Sequence, residues 1–221
     1  MKIALDGPSG AGKSTVAKAL AKRLGVIYVD TGALYRTIGL YVKSRGVEKS
    51  DTEGVISLLG DINLNMEFTN GEQIITLNGN RVGDEIRTGE IAMYASAVSA
   101  IPQVRAFLLN TQRDIAAKNS VVMDGRDIGT VILPDAEVKV FMVASPEARA
   151  RRRYLELIAK GESCTQESVL ADIIERDKND STRKTAPCVP ASDAVIFDNS
   201  DYDVEGSVDE VIKIIKSKVN L

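Results

Sequence analysis

The sequence predicts an α/β protein, a five-stranded parallel sheet covered by helices and interrupted by one small antiparallel segment. Three observations predict it. Short apolar runs of strand length alternate with stretches of helical periodicity along the chain. The first run, "KIAL", passes directly into "GPSGAGKS", Gly7 to Ser14, and then into a helical pattern, the order of a βαβ unit. One segment, "INLNMEFTNGEQIITLNGNRVGDEIRT", departs from this rhythm with two Asn-Gly pairs set between alternating apolar residues.

The elements follow in order. After "KIAL" a helix is expected from Ser14 to about Leu24, with Val16, Ala17, Leu20, Ala21 and Leu24 on one face, and then the strand "VIYVD". Another helix begins at Thr31. The Asn-Gly pairs at Asn70-Gly71 and Asn78-Gly79 favour type I′ turns, so the insert of about 61–89 reads as antiparallel hairpins. A helix runs from about Glu90, and Pro102 starts a new one because it cannot continue the earlier hydrogen-bond ladder. "SVVMD", "VKVFMVA" and "DAVIFD" are buried strands, and "SVDEVIKIIKSKV" is a closing helix. The length of 221 residues favours one domain, with core at 1–60, 90–148 and 180–221.

Composition narrows the function. With 28 basic and 31 acidic residues the chain has no global field to draw it onto nucleic acid or anionic membrane, so any anion binding is local and the partner is small. No apolar run approaches the roughly 18 residues of a membrane span. Two cysteines, Cys164 and Cys188, form neither a disulfide framework nor a zinc pattern, and no charged-then-apolar leader precedes "MKIALDGPSG". A cytoplasmic setting is expected, and with no visible dimer seam, a monomer. Histidine is absent, which removes every mechanism that depends on imidazole.

"GPSGAGKS" is a loop for polyphosphate. Gly7, Pro8, Ser9, Gly10, Ala11 and Gly12 let successive backbone N–H groups turn inward as an anion nest at a helix N-terminus, with Thr15 on the first helical turn. Lys13 reaches the β and γ phosphates, and Ser14 offers its hydroxyl to Mg²⁺. A nucleoside triphosphate with Mg²⁺ is implied. No guanine-reading Asn-Lys-x-Asp is present, and a motor or transporter subunit is larger, so a small kinase remains.

A second anion site is suggested by "DTGALYR", where the helix starting at Thr31 and the guanidinium of Arg36 face one phosphate together. Further along stand "DEIRT" with Arg87, "ASAVSAIPQVR" with Ser96 and Arg105, "DGRDIGT" with Asp124, Arg126 and Asp127, and "ERDKNDSTR" with Arg176, Asp180 and Arg183. With these motifs in this order the sequence resembles the bacterial cytidylate kinases nearly end to end. The resemblance implies a P-loop nucleoside monophosphate kinase fold with an acceptor-binding insert and a helical lid of about 149–165. It puts Thr31, Arg36 and Arg126 on the acceptor phosphate, Thr31 standing where the pattern more often has Ser. It puts Ser96, Arg105 and Asp127 on the pyrimidine, Arg176 and Asp180 on the ribose, and Arg183 on the transferring phosphates. The run "RARRR", Arg149 to Arg153, lies where that family's lid covers ATP, which makes Arg152 a donor contact and Arg153 a catalytic one.

The chemistry agrees with the resemblance. Cytosine shows an amino donor beside two acceptors, so Asp127 with Arg105 and Ser96 makes a matching set. Uracil inverts the first two groups and forfeits a charge-assisted bond worth roughly 1.5–3 kcal/mol. Both CMP and dCMP are expected acceptors. A phosphate monoester ionises for the second time near pH 6, so no general base is needed and Lys13, Arg126, Arg183 and Arg153 act by neutralising charge. Some roles stay open. Asp124 orients a Mg²⁺-bound water or caps a strand end, and Arg87 binds the acceptor phosphate or anchors the insert. Other acceptors, UMP or a metabolite such as shikimate, and a switch that keeps ATP without turning it over, are the competing readings.

Overall fold

The computed structural model describes residues 1–69, 71–159 and 161–219. The five-stranded parallel sheet has the order β2-β6-β1-β7-β8, with β1 Lys2–Asp6, β2 Ile27–Asp30, β6 Val121–Asp124, β7 Val138–Val143 and β8 Val195–Asp198. A separate antiparallel sheet, β3-β4-β5, is built from Leu64–Thr69, Glu72–Leu77 and Asn80–Arg81. The chain divides into two compact units, Met1–Gly25 with Val122–Leu221, and Val26–Val121.

In the first unit β1 is the innermost strand and pairs in parallel with β7, which pairs in turn with β8. Ile3, Ala4 and Leu5 are wholly buried, as the unbroken apolar run required, whereas Ile196 on the edge strand β8 stays 63% exposed. Helix α1, Lys13–Leu24, buries Val16, Ala17, Leu20 and Ala21 and stops at Gly25 in the left-handed conformation. Helices α6, Pro146–Ala159, and α7, Gln166–Thr182, form a pair around Ala150, Val169 and Ile173. A capping box between Thr165 and Ser168 starts α7, and Asp203 caps α8, Val204–Lys218. Parallel strands carry Asp6, Val143 and Asp198 to the same carboxyl edge, where open α/β sheets bind ligands.

The second unit holds α2 Thr31–Ser44, α3 Thr52–Leu58, α4 Gly89–Val98 and α5 Pro102–Lys118. Pro102 does begin a helix, at its first position, where the missing N–H costs nothing. The turn at Asn78-Gly79 has positive φ at both residues, 50° and 83°, as type I′ requires. The other pair includes Asn70, which lies outside the described residues, as does Lys160 within the stretch expected to be a lid. Two features were not anticipated. Helix α3 has no strong periodic signal, and Ile128–Ile132 forms one wide helical turn with i to i+5 hydrogen bonds, a geometry frequent at functional sites.

Candidate active site

The glycine-rich loop leaves β1 at Asp6 and enters α1 at Lys13. Gly7 has φ 143°, and a Cβ there would stand 2.0 Å from the carbonyl oxygen of Met142 on β7, so only glycine lets the loop pass the neighbouring strand. Lys13 is 5% exposed and its Nζ donates to Pro8 O at 2.6 Å. Burial, and then the charge of Arg126, push its pKa down to about 7 against the pull of Asp124, Cys188 and Asp6. Ser14 Oγ donates to Asp124 Oδ2 at 2.6 Å, which sets a hydroxyl and a carboxylate side by side at the strand end. An all-oxygen pair fits Mg²⁺, which keeps most of its positions for water and phosphate, and no cluster of three or more metal-ligating side chains occurs among the described residues.

Around Arg126 and Asp127, in the bend that follows β6, the arginines gather on one carboxylate. Asp180 of α7 faces Arg126 Nε at 3.3 Å, Arg183 Nη1 at 3.8 Å and Arg176 Nε at 3.9 Å. Arg183 Nη2 is also 4.0 Å from Asp127 Oδ1, and its Nε donates to Ala186 O at 2.7 Å. Burial works against the charge of Arg126, but Asp180, with Cys188 and Asp124 behind it, outweighs burial and holds the guanidinium pKa above its usual value. The segment is anchored from β1. Gly125 N–H donates to Leu5 O at 3.0 Å, and the two oxygens of Asp6 accept from the N–H of Ile128 at 2.8 Å and of Gly129 at 2.7 Å. Burial lifts the Asp6 pKa to about 6 in spite of these two bonds.

The basic run on α6 splits by direction. Arg152 Nη2 donates to Asn199 O at 2.8 Å and to Ser200 O at 3.2 Å, while Arg153 pairs with Glu156 on its own helix at 2.9 Å. Arg149 is buried and turned inward, with its guanidinium on the loop and on Asp177 of α7.

In the second unit Asp30 caps α2 by accepting from Ala33 N–H at 2.9 Å, and its other oxygen accepts from Arg36 Nη2 at 2.8 Å. Gln73 of β4 clasps the Asp30 backbone with a pair of hydrogen bonds, 2.8 Å to its N–H and 3.1 Å to its carbonyl. Thr31 is buried at the first turn of α2. Arg105 is buried on α5, donates to Ser99 O at 3.1 Å and lies over the Tyr35 ring at 5.5 Å. Ser96 stands on α4 before Ser99, and Arg87 is half exposed beside Asp84 at 3.3 Å.

The family model described as cytidylate kinase matches residues 3–217. The chain belongs to the cytidylate kinase family. A cytidylate kinase of Thermosipho melanesiensis is 50% identical over 220 residues, covering 100% of this chain and 99% of that protein. One of Fervidobacterium nodosum is 49% identical over 220 residues, with 100% and 98% covered. Among solved structures an uncharacterized protein from Eubacterium ventriosum shares the fold, with TM-score 0.51, 15% identity and coverage of 98% of this chain and 99% of that one.

Within this cytidylate kinase fold the first unit brings Lys13, Ser14, Asp124, Arg126, Asp127, Arg176, Asp180 and Arg183 into one polar cluster, and the second carries Thr31, Arg36, Arg87, Ser96 and Arg105. Sequence reasoning gave no role to Asp6, Asp30, Gln73, Asp177 and Asn199, and it read Arg149 only as part of the basic run expected over the donor. A carboxylate at the end of a buried strand was a signal for Asp6, and Asp before a helix was one for Asp30. Gln73 and Asp177 carry no local signal, because their partners are 43 and 28 residues away.

Proposed function

We propose that this member of the cytidylate kinase family transfers the terminal phosphate of Mg-ATP to CMP or dCMP, giving ADP and CDP or dCDP. The observation that supports this best is a pair of cations, buried Lys13 and partly buried Arg126, close enough for Arg126 to depress the pKa of Lys13. Two neighbouring positive charges, one of them buried, that repel each other are stabilised by an anion of high charge, which a transferring phosphoryl group supplies.

The loop Gly7 to Thr15 holds the donor's phosphates, and Arg152 is assigned to the donor. Ser14 and, through water, Asp124 would hold Mg²⁺, which when bound shields the charge of the β and γ phosphates. Lys13, Arg126, Arg183 and Arg153 spread the remaining charge in a loose transition state, where one arginine is worth roughly 10³–10⁵ in rate. Thr31, Arg36, Arg87 and Arg126 are assigned to the acceptor phosphate, Ser96, Arg105 and Asp127 to cytosine, and Arg176 and Asp180 to ribose. Residues 61–89 serve the acceptor, and about 149–165 close over the donor. Two free cysteines fit a cytoplasmic enzyme, and light scattering checks the monomer. No single helix among the described residues is long and apolar enough to cross a membrane.

The test is coupled-assay turnover with Mg-ATP against CMP, dCMP, UMP, AMP, GMP and shikimate. CMP and dCMP should lead and UMP trail. A lead by UMP or shikimate would dismiss the base assignments, and ATP binding with no ADP formed would favour a switch.

A further inference from the structure

A trans peptide holds its carbonyl and the following N–H on opposite sides, so a partner that fixes one carbonyl also aims the next N–H. Three carbonyls of the glycine-rich loop are fixed in this way. Pro8 O accepts from Lys13 Nζ at 2.6 Å, Ser9 O from Arg149 Nη1 at 3.0 Å and Ala11 O from Asn199 Nδ2 at 2.9 Å. The N–H groups of Ser9, Gly10 and Gly12 are thereby turned away from those partners. Lys13 belongs to the loop motif, but Arg149 and Asn199 do not.

Arg149 is built to hold this geometry. It is 3% exposed, and its fork makes four hydrogen bonds to three elements. Nε donates to Ala144 O at the end of β7 at 2.9 Å, Nη1 to Ser9 O and to Asp177 Oδ1 at 3.0 Å each, and Nη2 to Asp177 Oδ2 at 2.6 Å. The loop rests on its stem, since a Cβ on Gly10 would stand 3.2 Å from Arg149 Cβ. Lysine is a point charge and cannot serve the carbonyls and both carboxylate oxygens in one plane. Asp177 lies three residues before Asp180 on α7, the carboxylate that faces Arg126 and Arg183. One helix therefore holds the loop through Arg149 and the arginine cluster through Asp180.

We propose that Arg149, held by Asp177, is a positioning residue that aims the Gly10 N–H at the donor's phosphates and ties the loop's geometry to the placement of α7. The inference rests on the reading of Gly7 to Ser14 as the donor-phosphate loop. Its test is calorimetric titration of the purified chain with Mg-ATP, together with the KM values for ATP and CMP. Arg149→Met should weaken Mg-ATP binding by about tenfold or more, the scale of a lost charge-assisted bond. The KM for CMP should stay within about twofold. Arg149→Lys should recover part of the loss, and Asp177→Asn should reproduce part of it. The double variant Arg149→Met/Asp177→Asn should be no worse than Arg149→Met alone, because both act along one path. Mg-ATP binding that stays within about twofold of the unaltered chain, whatever the thermal midpoint does, overturns the proposal, as does an equal rise in both KM values. If Arg149→Met does not fold, Arg149→Lys and Asp177→Asn are held to the same criteria. An unaltered chain that binds Mg-ATP but leaves CMP unphosphorylated defeats the proposed function and not this inference, whereas one that fails to bind Mg-ATP defeats both.

Discussion

Replacing Asp6 by Asn removes a buried charge while keeping its shape, and the outcome depends on pH in a way the structure fixes. Asp6 is 5% exposed and accepts two backbone N–H groups of the wide turn after Asp127. Asparagine keeps one acceptor and turns an amide donor toward the other N–H, at a cost of about 1–3 kcal/mol. Against that stands the burial of the carboxylate, which lifts its pKa from 3.8 to about 6. The folded state then binds more protons than the unfolded one between those values, so the contribution of Asp6 to stability falls as pH rises through that window. Between pH 4.5 and 7.5 the fall is about 2 kcal/mol. The stability difference between the unaltered chain and Asp6→Asn, measured by urea denaturation, should therefore be larger at pH 4.5 than at pH 7.5 by that amount. Effects of groups that do not interact with Asp6 cancel in the difference, and Lys13, whose pKa of about 7 Asp6 helps to hold up, adds its own change only near the upper end of the range. A difference that is flat with pH, or that grows toward pH 7.5, would refute the argument that Asp6 is held at the cost of its charge.

Three further outcomes are expected. Lys13, with its pKa brought down to about 7, is protonated below that pH, and only the protonated form attracts phosphate. Mg-ATP affinity should fall from pH 6.5 to 8.5 with a slope approaching tenfold per unit, and Lys13→Ala should abolish both the slope and turnover while circular dichroism stays unchanged. A flat affinity profile would remove Lys13 from the donor site. Asp127→Ala should raise the KM for CMP by about tenfold or more and leave that for ATP nearly unchanged, and equal effects on both would take Asp127 out of the acceptor site. Gly7→Ala drives a Cβ to 2.0 Å from Met142 O at φ 143°. It should lower stability by roughly 1–3 kcal/mol or more, measured as a shift in the denaturation midpoint, and a neutral result would mean that the loop does not pass β7 so closely.

The parts of this molecule that could be read from its sequence are those whose cause is local. An unbroken apolar run such as "VKVFMVA" has one stable destination, a strand buried on both faces, and β7 is that strand. Asn78-Gly79 could be placed in a turn because few residue pairs accept positive φ twice, and Pro102 could be placed at a helix start because its ring forbids the alternative. The same holds for the loop, whose glycines and lysine state their purpose within eight residues. What could not be read is what holds those residues in place. Arg149 lies in a run of four arginines that looks uniformly solvated, and only the fold separates the buried member from Arg152 and Arg153. Its carboxylate partner is 28 residues away on another helix, a pairing that no spacing rule encodes. The wide turn at Ile128–Ile132 was hidden for the same reason, since its N–H groups are collected by Asp6 from 122 residues earlier in the chain. Motif residues are therefore legible because the phosphate ligand proposed for them would dictate their types and spacing. Their supports are not, because any buried donor or acceptor of the right reach would serve, and which one does is decided by packing.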